Sequence, residues 1–383
     1  MNIPTRLNIG LKFPISTIFI LINLSYFLPV NFASLTIIAL ALITIRKIYA
    51  HLFLFVAFFF ALIVISSIRG FLYFNELNIT EPIRLMIVIL VLTLTHNIHR
   101  KHDFQYYFSD LSSTVLFAGV LSFLSLANYF STFLFEKDWS FSLFEVPLQH
   151  YTFRLIGLQS NPNNNAFYLG SSIIFLLALQ LKNWSVWHVI SLICILLMII
   201  LSGSRGMIAA SIASVIFFIS MHKPRLVFFL STCIAVSLFA TSIFFQELDI
   251  MSKVLGRLDF KDFSSFTKTQ SRFEIWEDHW KVIISNNTNF LIGIGAPGYL
   301  NKVTDGSLIR YITLFGVPLG VGLFLFSIGI FNLLKVRNIV FGISFFLFMF
   351  PNLLVNDWVV SKVFGLIIAV LFLANEQKKL KLK

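Results

Sequence analysis

The sequence contains few charged residues and almost no cysteine. Only 12% of its 383 residues are charged and 57% are hydrophobic, whereas a soluble globular domain carries about 25% charged residues. This shortage excludes a soluble fold, because a chain of this length could not bury so much apolar surface away from water. Both cysteines, Cys194 and Cys233, lie inside apolar runs. Their setting excludes a disulfide framework and indicates small buried hydrophobic residues.

In place of charge, the sequence has a succession of apolar runs close to the length of a membrane-crossing helix. Backbone polar groups find no water inside lipid, so each run must form a helix with internal hydrogen bonds. The first run lacks a small-residue cleavage site, which predicts a first membrane helix and not a signal peptide. We predict an all-α integral membrane protein, a single polytopic domain over 1–383 with about twelve transmembrane helices. The predicted spans are 14–30, 32–45, 51–68, 82–95, 111–130, 166–181, 186–202, 206–221, 226–244, 307–330, 338–354 and 357–374.

The distribution of positive charge predicts the orientation of these spans. Lys and Arg number 29 against 17 Asp and Glu, for a net charge of +12. Basic residues of the short loops and termini fall on one side of a twelve-span arrangement, which the positive-inside rule makes cytoplasmic. Both termini are then cytoplasmic, and two larger loops, 131–165 and 245–306, lie on the opposite side. The charge otherwise favours anionic lipid or a phosphate-bearing substrate as partner, and not nucleic acid. The basic residues concerned are Arg6, Lys12, Arg46, Lys47, Arg100, Lys101, Lys182, Lys223, Arg225, Lys335, Arg337, Lys378, Lys379, Lys381 and Lys383.

The larger of these loops contains a stretch of helical periodicity from Ser271 to Ile284. Ser271 and Glu274 fit a capping box at its start. We predict an amphipathic helix that lies on the membrane surface or on the outer side of the protein. Arg272 and His279, on one edge of this helix, are candidates to face a substrate cavity. Its apolar side comprises Phe273, Trp276, Trp280 and Ile283, and its charged side Glu274, Glu277, Asp278 and Lys281.

A glycine-rich segment, Gly293-Ile-Gly295-Ala-Pro-Gly298, follows the predicted loop helix. Its spacing is that of a dinucleotide-binding fingerprint, but no βαβ unit surrounds it, so we reject that function. We predict instead a tight, backbone-exposed turn that links the loop helix to the tenth span.

Four arginines stand at predicted outer helix ends or in the outer loops. Arginine near apolar depth is costly, so it either extends toward lipid headgroups or faces a cavity and binds a partner there. Together the four favour the second interpretation, because guanidinium groups suit the geometry of a pyrophosphate. Carboxylates and histidines do not cluster at metal-ligand spacing, so we expect neither a metal nor a cofactor. The candidate substrate-binding residues are Arg154, Arg205, Arg272 and Arg310, with Asn161 and Asn163 of the segment that caps the sixth span.

Short motifs succeed one another between residues 150 and 330. They are Arg154-x-x-Gly157, Asn161-Pro-Asn163, Ser202-Gly-Ser-Arg-Gly206, Ser271-Arg272 with Trp276, Leu291-Ile-Gly-Ile-Gly295, Asp305-Gly-Ser-Leu308 and Phe315-Gly316. In this order, and on the predicted outer side, they resemble the O-antigen polymerase and ligase superfamily. Members of that superfamily are bacterial inner-membrane glycosyltransferases of the C-type membrane class. The resemblance implies that the two larger loops are periplasmic and carry the active face.

The segment before the tenth span separates the two branches of that superfamily. Ligases transfer a finished glycan from undecaprenyl diphosphate to lipid A-core, and they usually carry a His-Asn-x-x-Leu motif at this place. This sequence has Thr304-Asp305-Gly-Ser-Leu308 instead, which resembles the polymerase branch. A ligase stays open as an alternative. A lipid-linked oligosaccharide flippase or transporter also has about twelve spans, but it usually places its ionisable residues near the membrane midplane.

The resemblance implies a surface polysaccharide polymerase that joins oligosaccharide repeat units carried on undecaprenyl diphosphate. The four arginines would stabilise the diphosphate leaving group without a metal. Asp305 is the first candidate for the base that accepts the acceptor hydroxyl's proton, and His279 is the second. Direct displacement would invert the anomeric centre. The resemblance further implies membrane lipid and a chain-length regulator protein as partners.

Overall fold

The computed structural model describes a helical protein. The described residues are 14–24, 50–76, 104–135, 162–179, 183–223, 267–295, 307–320 and 339–355, with isolated positions between them, and at some helix ends only the backbone is described. None of the residues in these ranges forms a strand, which agrees with the predicted all-α class. The helices are α1 Pro14–Leu24, α2 Ala50–Phe74, α3 Phe104–Phe135, α4 Pro162–Gly170, α5 Ser172–Ala178, α6 Val186–Leu201, α7 Arg205–His222, α8 Thr267–Ile284, α9 Asn287–Ile292, α10 Ser307–Phe315 and α11 Ile339–Val355.

Several of these helices fall on predicted membrane spans. Within the described residues, one helical segment, Tyr106–Ala127 of α3, is long and apolar enough to cross a membrane. Shorter apolar segments occur in α2, α6, α7 and α11 and across α4 and α5. Predicted spans two, nine and twelve lie almost wholly outside the described residues, and span four is described only at positions 83, 86–88, 90 and 91. The number of spans therefore stays a prediction.

Two predicted spans are interrupted where the apolar pattern suggests continuous helices. The sixth begins at Pro162 and is broken by a turn at Ser171, between α4 and α5. The tenth breaks at Gly316, whose φ of 88° ends α10, and residues 317–320 are helical again. Residues other than glycine rarely adopt that backbone conformation. Hydropathy does not reveal either break, because both flanks of each break are apolar.

Helix α3 is the centre of the packing. It contacts α1, α5 and α6, while α7 packs along α11. Gly119 lets α6 approach α3 closely, since a Cβ at that position would overlap the hydroxyl of Ser191. The buried side chains of these helices form one continuous apolar cluster, which supports the ends of the helices that carry the candidate site.

Two polar side chains fix neighbours onto α3. Asp110 is fully buried and accepts hydrogen bonds from the backbone N–H groups of Ile15 and Ser16 at 2.7 and 2.9 Å. These are donors of the first turn of α1, which have no partner inside their own helix. On the other side, His188 near the start of α6 bonds the hydroxyl of Ser112 over 2.8 Å.

Candidate functional site

The predicted outer loop meets two apolar helices at a compact junction. We define the junction as Ser66, Arg69 and Gly70 of α2, the segment Asn289–Gly295, His279 of α8, and Thr313 and Leu314 of α10. Helices α8 and α9 both pack on α10, and α9 and α10 both pack on α2. The junction therefore connects the loop helix with two apolar helices.

The end of α10 supplies the carbonyls that hold the loop. Ile294 N donates to Thr313 O, and Gly295 N donates to Leu314 O, each over 2.8 Å. In a continuous helix the donor to Leu314 O would come four residues later, at Pro318, which has no N–H. The break in the tenth predicted span thus leaves a carbonyl that the loop satisfies. Ser66 Oγ donates to the same carbonyl.

The glycines of the loop are required by this close approach. Gly293 and Gly295 have φ values of 70° and 75°. A Cβ on Gly295 would overlap the carbonyl oxygen of Ser66, and one on Gly293 would overlap the backbone of Leu314. Residues 293–295 are buried, so our prediction of a backbone-exposed turn is wrong for this part of the segment, and residues 296–298 lie outside the described residues. The turn is instead packed between α2 and α10.

Arg69 reaches from α2 into this loop. Its guanidinium donates through Nη1 to Gly293 O and through Nη2 to Asn289 Oδ1, the latter over 2.6 Å. Its Cζ also lies 5.9 Å from the ring centroid of Tyr73. The predicted third span ends at residue 68, so the sequence prediction does not include Arg69 among the site residues. An arginine at the end of a long apolar run was the available signal, since such a side chain needs partners.

His279 joins the loop helix to α10. It is 5% exposed, and its Nδ1 lies 3.0 Å from Thr313 Oγ1. The Thr313 hydroxyl donates to Ile309 O over 2.7 Å, so it accepts from His279, and Nδ1 carries the proton. In the neutral ring, Nε2 is then the nitrogen that keeps a lone pair.

The structure has a helix here with the predicted charged side. It begins at Thr267, so Ser271 lies inside the helix and the predicted capping box at its start is wrong. Glu274, Glu277, Asp278 and Lys281 are exposed as predicted. Trp280, predicted on the packed side, is 44% exposed, whereas Ile283 and His279 are buried. The sequence pattern predicts an apolar stripe about 100° wide along the helix. In the structure, the edge of this stripe that carries His279 packs against Thr313, and the edge that carries Trp280 does not.

The exposed side of α8 carries an ion pair. Lys281 Nζ lies 2.7 Å from Glu277 Oε1, one helical turn away. Hydrogen bonding to that carboxylate raises the pKa of the Lys281 ammonium. The pair is solvated, so it contributes little to stability.

Two further predicted site residues have described side chains. Arg310 is half-buried on α10, three residues before Thr313, so both project from one side of that helix. Asn163 is half-buried in the first turn of α4. Arg205 begins α7 and Arg272 lies in α8, but their side chains are outside the description. Three predicted site residues lie outside the described residues altogether, namely Arg154, Asn161 and Asp305.

A second group surrounds the tight joint between α6 and α7. Ser202 and Ser204 are buried, and Gly203 has a φ of 63°. Leu155 N donates to Leu201 O over 3.0 Å. Helix α4, which carries Asn163, packs on both α6 and α7. The structure therefore places the helix of Asn163 next to the joint at which Arg205 begins α7.

A comparison with protein families gives a match to part of the chain. Residues 190–316 match a family model described as O-Antigen ligase. No curated protein matches the chain significantly. The matched region runs from α6 to the glycine that ends α10, and it includes Arg205, Arg272, His279, Asp305 and Arg310. Arg69, Arg154, Asn161 and Asn163 lie outside it.

Proposed function

We propose that this chain, which residues 190–316 place in the O-antigen polymerase and ligase superfamily, is a surface polysaccharide polymerase. Members of the matched family are glycosyltransferase-like enzymes of polysaccharide biosynthesis. The observation that carries the proposal is that the matched region contains α8 and α10, two helices in contact that carry His279 and Arg310. The polymerase branch is favoured by the segment Thr304-Asp305-Gly-Ser-Leu308, which has Thr304 where ligases usually have histidine and an aspartate directly after it.

The proposed donor is a growing glycan on undecaprenyl diphosphate, and the acceptor is a sugar hydroxyl of a new lipid-linked repeat unit. The bond from the anomeric carbon to the diphosphate oxygen breaks, and a bond to the acceptor oxygen forms. The electron pair leaves with the diphosphate, and the acceptor proton passes to a base. Attack opposite the leaving group inverts the anomeric centre.

The arginines are proposed to stabilise the leaving diphosphate. Its negative charge develops as the bond breaks, and fixed cationic donors near it lower the barrier. Arg310 supports this proposal best, since it stands half-buried on the helix that ends at the junction. Arg154, Arg205 and Arg272 are proposed to complete the set, with Asn161 and Asn163 beside the sugar or diphosphate. The reaction as written needs no metal.

Asp305 is the proposed general base, two residues before α10 begins. His279 is the second candidate. The proton on Nδ1 leaves Nε2 as the basic nitrogen, which is the state that a base requires. The burial of His279 against Thr313 supports a role in joining α8 to α10, and so keeps Asp305 first.

The proposed setting is the bacterial inner membrane, with a multi-pass chain, both termini in the cytoplasm and the active face in the periplasm. Membrane lipid and the lipid-linked oligosaccharide are the proposed partners, with a chain-length regulator protein. A ligase remains the second candidate, because the family match is to a model described as a ligase.

The test is a reconstitution. The purified full chain, in lipid nanodiscs with a chelator, receives a defined undecaprenyl-diphosphate repeat unit, with or without lipid A-core. A ladder spaced by one repeat unit, formed without lipid A-core, supports the polymerase. Transfer that requires lipid A-core makes the chain a ligase. Inertness of folded protein in both arms contradicts the proposal.

A further inference from the structure

We propose that Arg69 is a positioning residue, which seats the Gly293–Gly295 loop on α2 and thereby fixes both helices of the candidate site. The inference rests on the proposed function for its effect on catalysis. The seat itself rests on contacts alone. Arg69 lies more than a hundred residues before the matched region 190–316.

First, the guanidinium of Arg69 is bound by other residues of the protein. One guanidinium nitrogen donates to Gly293 O and another to Asn289 Oδ1, and the group lies near the Tyr73 ring. Both terminal nitrogens, Nη1 and Nη2, have a partner on the loop, so the fork that would bind a diphosphate is already used. Arg69 thus differs in role from the arginines proposed to bind substrate.

The second step is that the neighbouring turn of α2 is shaped for the same loop. Ser66 and Gly70 lie three residues before and one residue after Arg69. The Ser66 hydroxyl donates to Leu314 O, which also accepts from Gly295 N. Gly295 lies so close that a Cβ there would overlap the Ser66 carbonyl oxygen and crowd Gly70 N. One turn of α2 therefore contacts both the loop and the end of α10.

The third step connects this seat to both site helices. Asn289, which accepts from Arg69, donates through Nδ2 to Val282 O over 3.0 Å. Val282 lies one turn after His279 on α8. On the other side, Leu314 lies one turn after Arg310 on α10. Displacement of the loop from α2 would therefore move both helices, and a shift of about 1 Å in a catalytic group can cost roughly 100-fold in rate.

The experiment compares Arg69→Ala, Arg69→Lys, Asn289→Ala and the double variant Arg69→Ala/Asn289→Ala in nanodiscs. Polymerisation gives kcat and KM for the lipid-linked repeat unit, and limited proteolysis gives the cleavage rate within 245–306. Lys281→Ala, on the exposed side of α8, is the matched control. We expect Arg69→Ala to lower kcat by about ten- to 100-fold with little change in KM. The double variant should be no worse than Arg69→Ala, and loop cleavage should accelerate in both.

Three results would overturn the proposal. An unchanged rate of loop cleavage in Arg69→Ala would show that Arg69 does not hold the loop on α2, whether or not the chain proves to be a polymerase. Faster cleavage with wild-type kcat removes the positioning role. A rise in KM alone, additive with Asn289→Ala, makes Arg69 a substrate ligand. If Arg69→Ala does not fold, Arg69→Lys and Asn289→Ala replace it in the comparison. Arg69→Lys removes the two-pronged guanidinium, and Asn289→Ala removes one of its two acceptors on the loop.

Discussion

His279 donates a hydrogen bond from Nδ1 to the hydroxyl of Thr313, 3.0 Å away. The same hydroxyl donates to Ile309 O, so the direction of both bonds is fixed. This pair joins the loop helix to the helix that carries Arg310, and it sets the tautomer of a buried histidine. A hydroxyl at position 313 is thus required by the histidine opposite it.

Replacing Thr313 tests this relationship. Thr313→Val keeps the shape of the side chain but leaves the buried Nδ1–H without an acceptor, which costs about 1–3 kcal/mol. We expect a lower thermal midpoint in detergent and lower activity. Thr313→Ser keeps the hydroxyl and should restore both. Equal behaviour of the two variants would show that the hydroxyl does not hold His279.

The cap that Asp110 of α3 forms on α1 is expected to stabilise the packing of these two helices. Asp110→Ala removes the acceptor of two backbone donors at 2.7 and 2.9 Å and should cost about 2 kcal/mol. Asp110→Asn keeps one acceptor oxygen and should lose less. Thermal unfolding monitored by circular dichroism measures both variants, and an unchanged midpoint in Asp110→Ala would show that the cap contributes nothing.

The glycine turn makes a steric prediction. Gly295→Ala combines a φ of 75° with an overlap on the Ser66 carbonyl, so we expect loss of activity and faster cleavage of the loop. The control is Asn75→Gly, at an exposed position with a φ of 55° that ends α2. Glycine suits that conformation, so this variant should match wild type. A fully active Gly295→Ala variant would contradict the packed turn.

The assignment of the base predicts different losses at two positions. Asp305→Ala should abolish chain extension, because removal of a general base costs about 100- to 10,000-fold. His279→Ala should lower activity together with the thermal midpoint, since it also breaks the contact with Thr313. Glu277→Ala, on the exposed side of the same helix, should change neither. Full activity in Asp305→Ala, with a severe loss only in His279→Ala, would make His279 the general base in place of Asp305.

The helical class and several elements of the site follow from sequence. Apolar run length predicts helices where α1, α2, α6, α7 and α11 occur, because lipid leaves the backbone no other arrangement. The charged side of α8 follows from period alone, and the motif order predicts a superfamily to which the family model that matches residues 190–316 belongs.

What the sequence did not predict depends on tertiary contacts. The burial of Gly293–Gly295 depends on Ser66 and Gly70, more than two hundred residues earlier in the chain. The exposure of Trp280 follows from which edge of α8 meets Thr313, and periodicity does not choose between adjacent edges. The predicted third span ends at residue 68, before Arg69, whereas α2 continues to Phe74.

Glycosyl transfer from a lipid diphosphate makes two products, the new glycosidic bond and the freed lipid diphosphate, and it is tested best by counting both. Wild-type protein in nanodiscs with the lipid-linked repeat unit should release one undecaprenyl diphosphate for each new glycosidic bond in the ladder. The ratio of released lipid diphosphate to new bonds should stay at one as the chains lengthen. In Asp305→Ala, neither release nor bond formation should be detected. Movement of the substrate across a vesicle membrane, with neither lipid release nor bond formation, would contradict the account and identify a transporter.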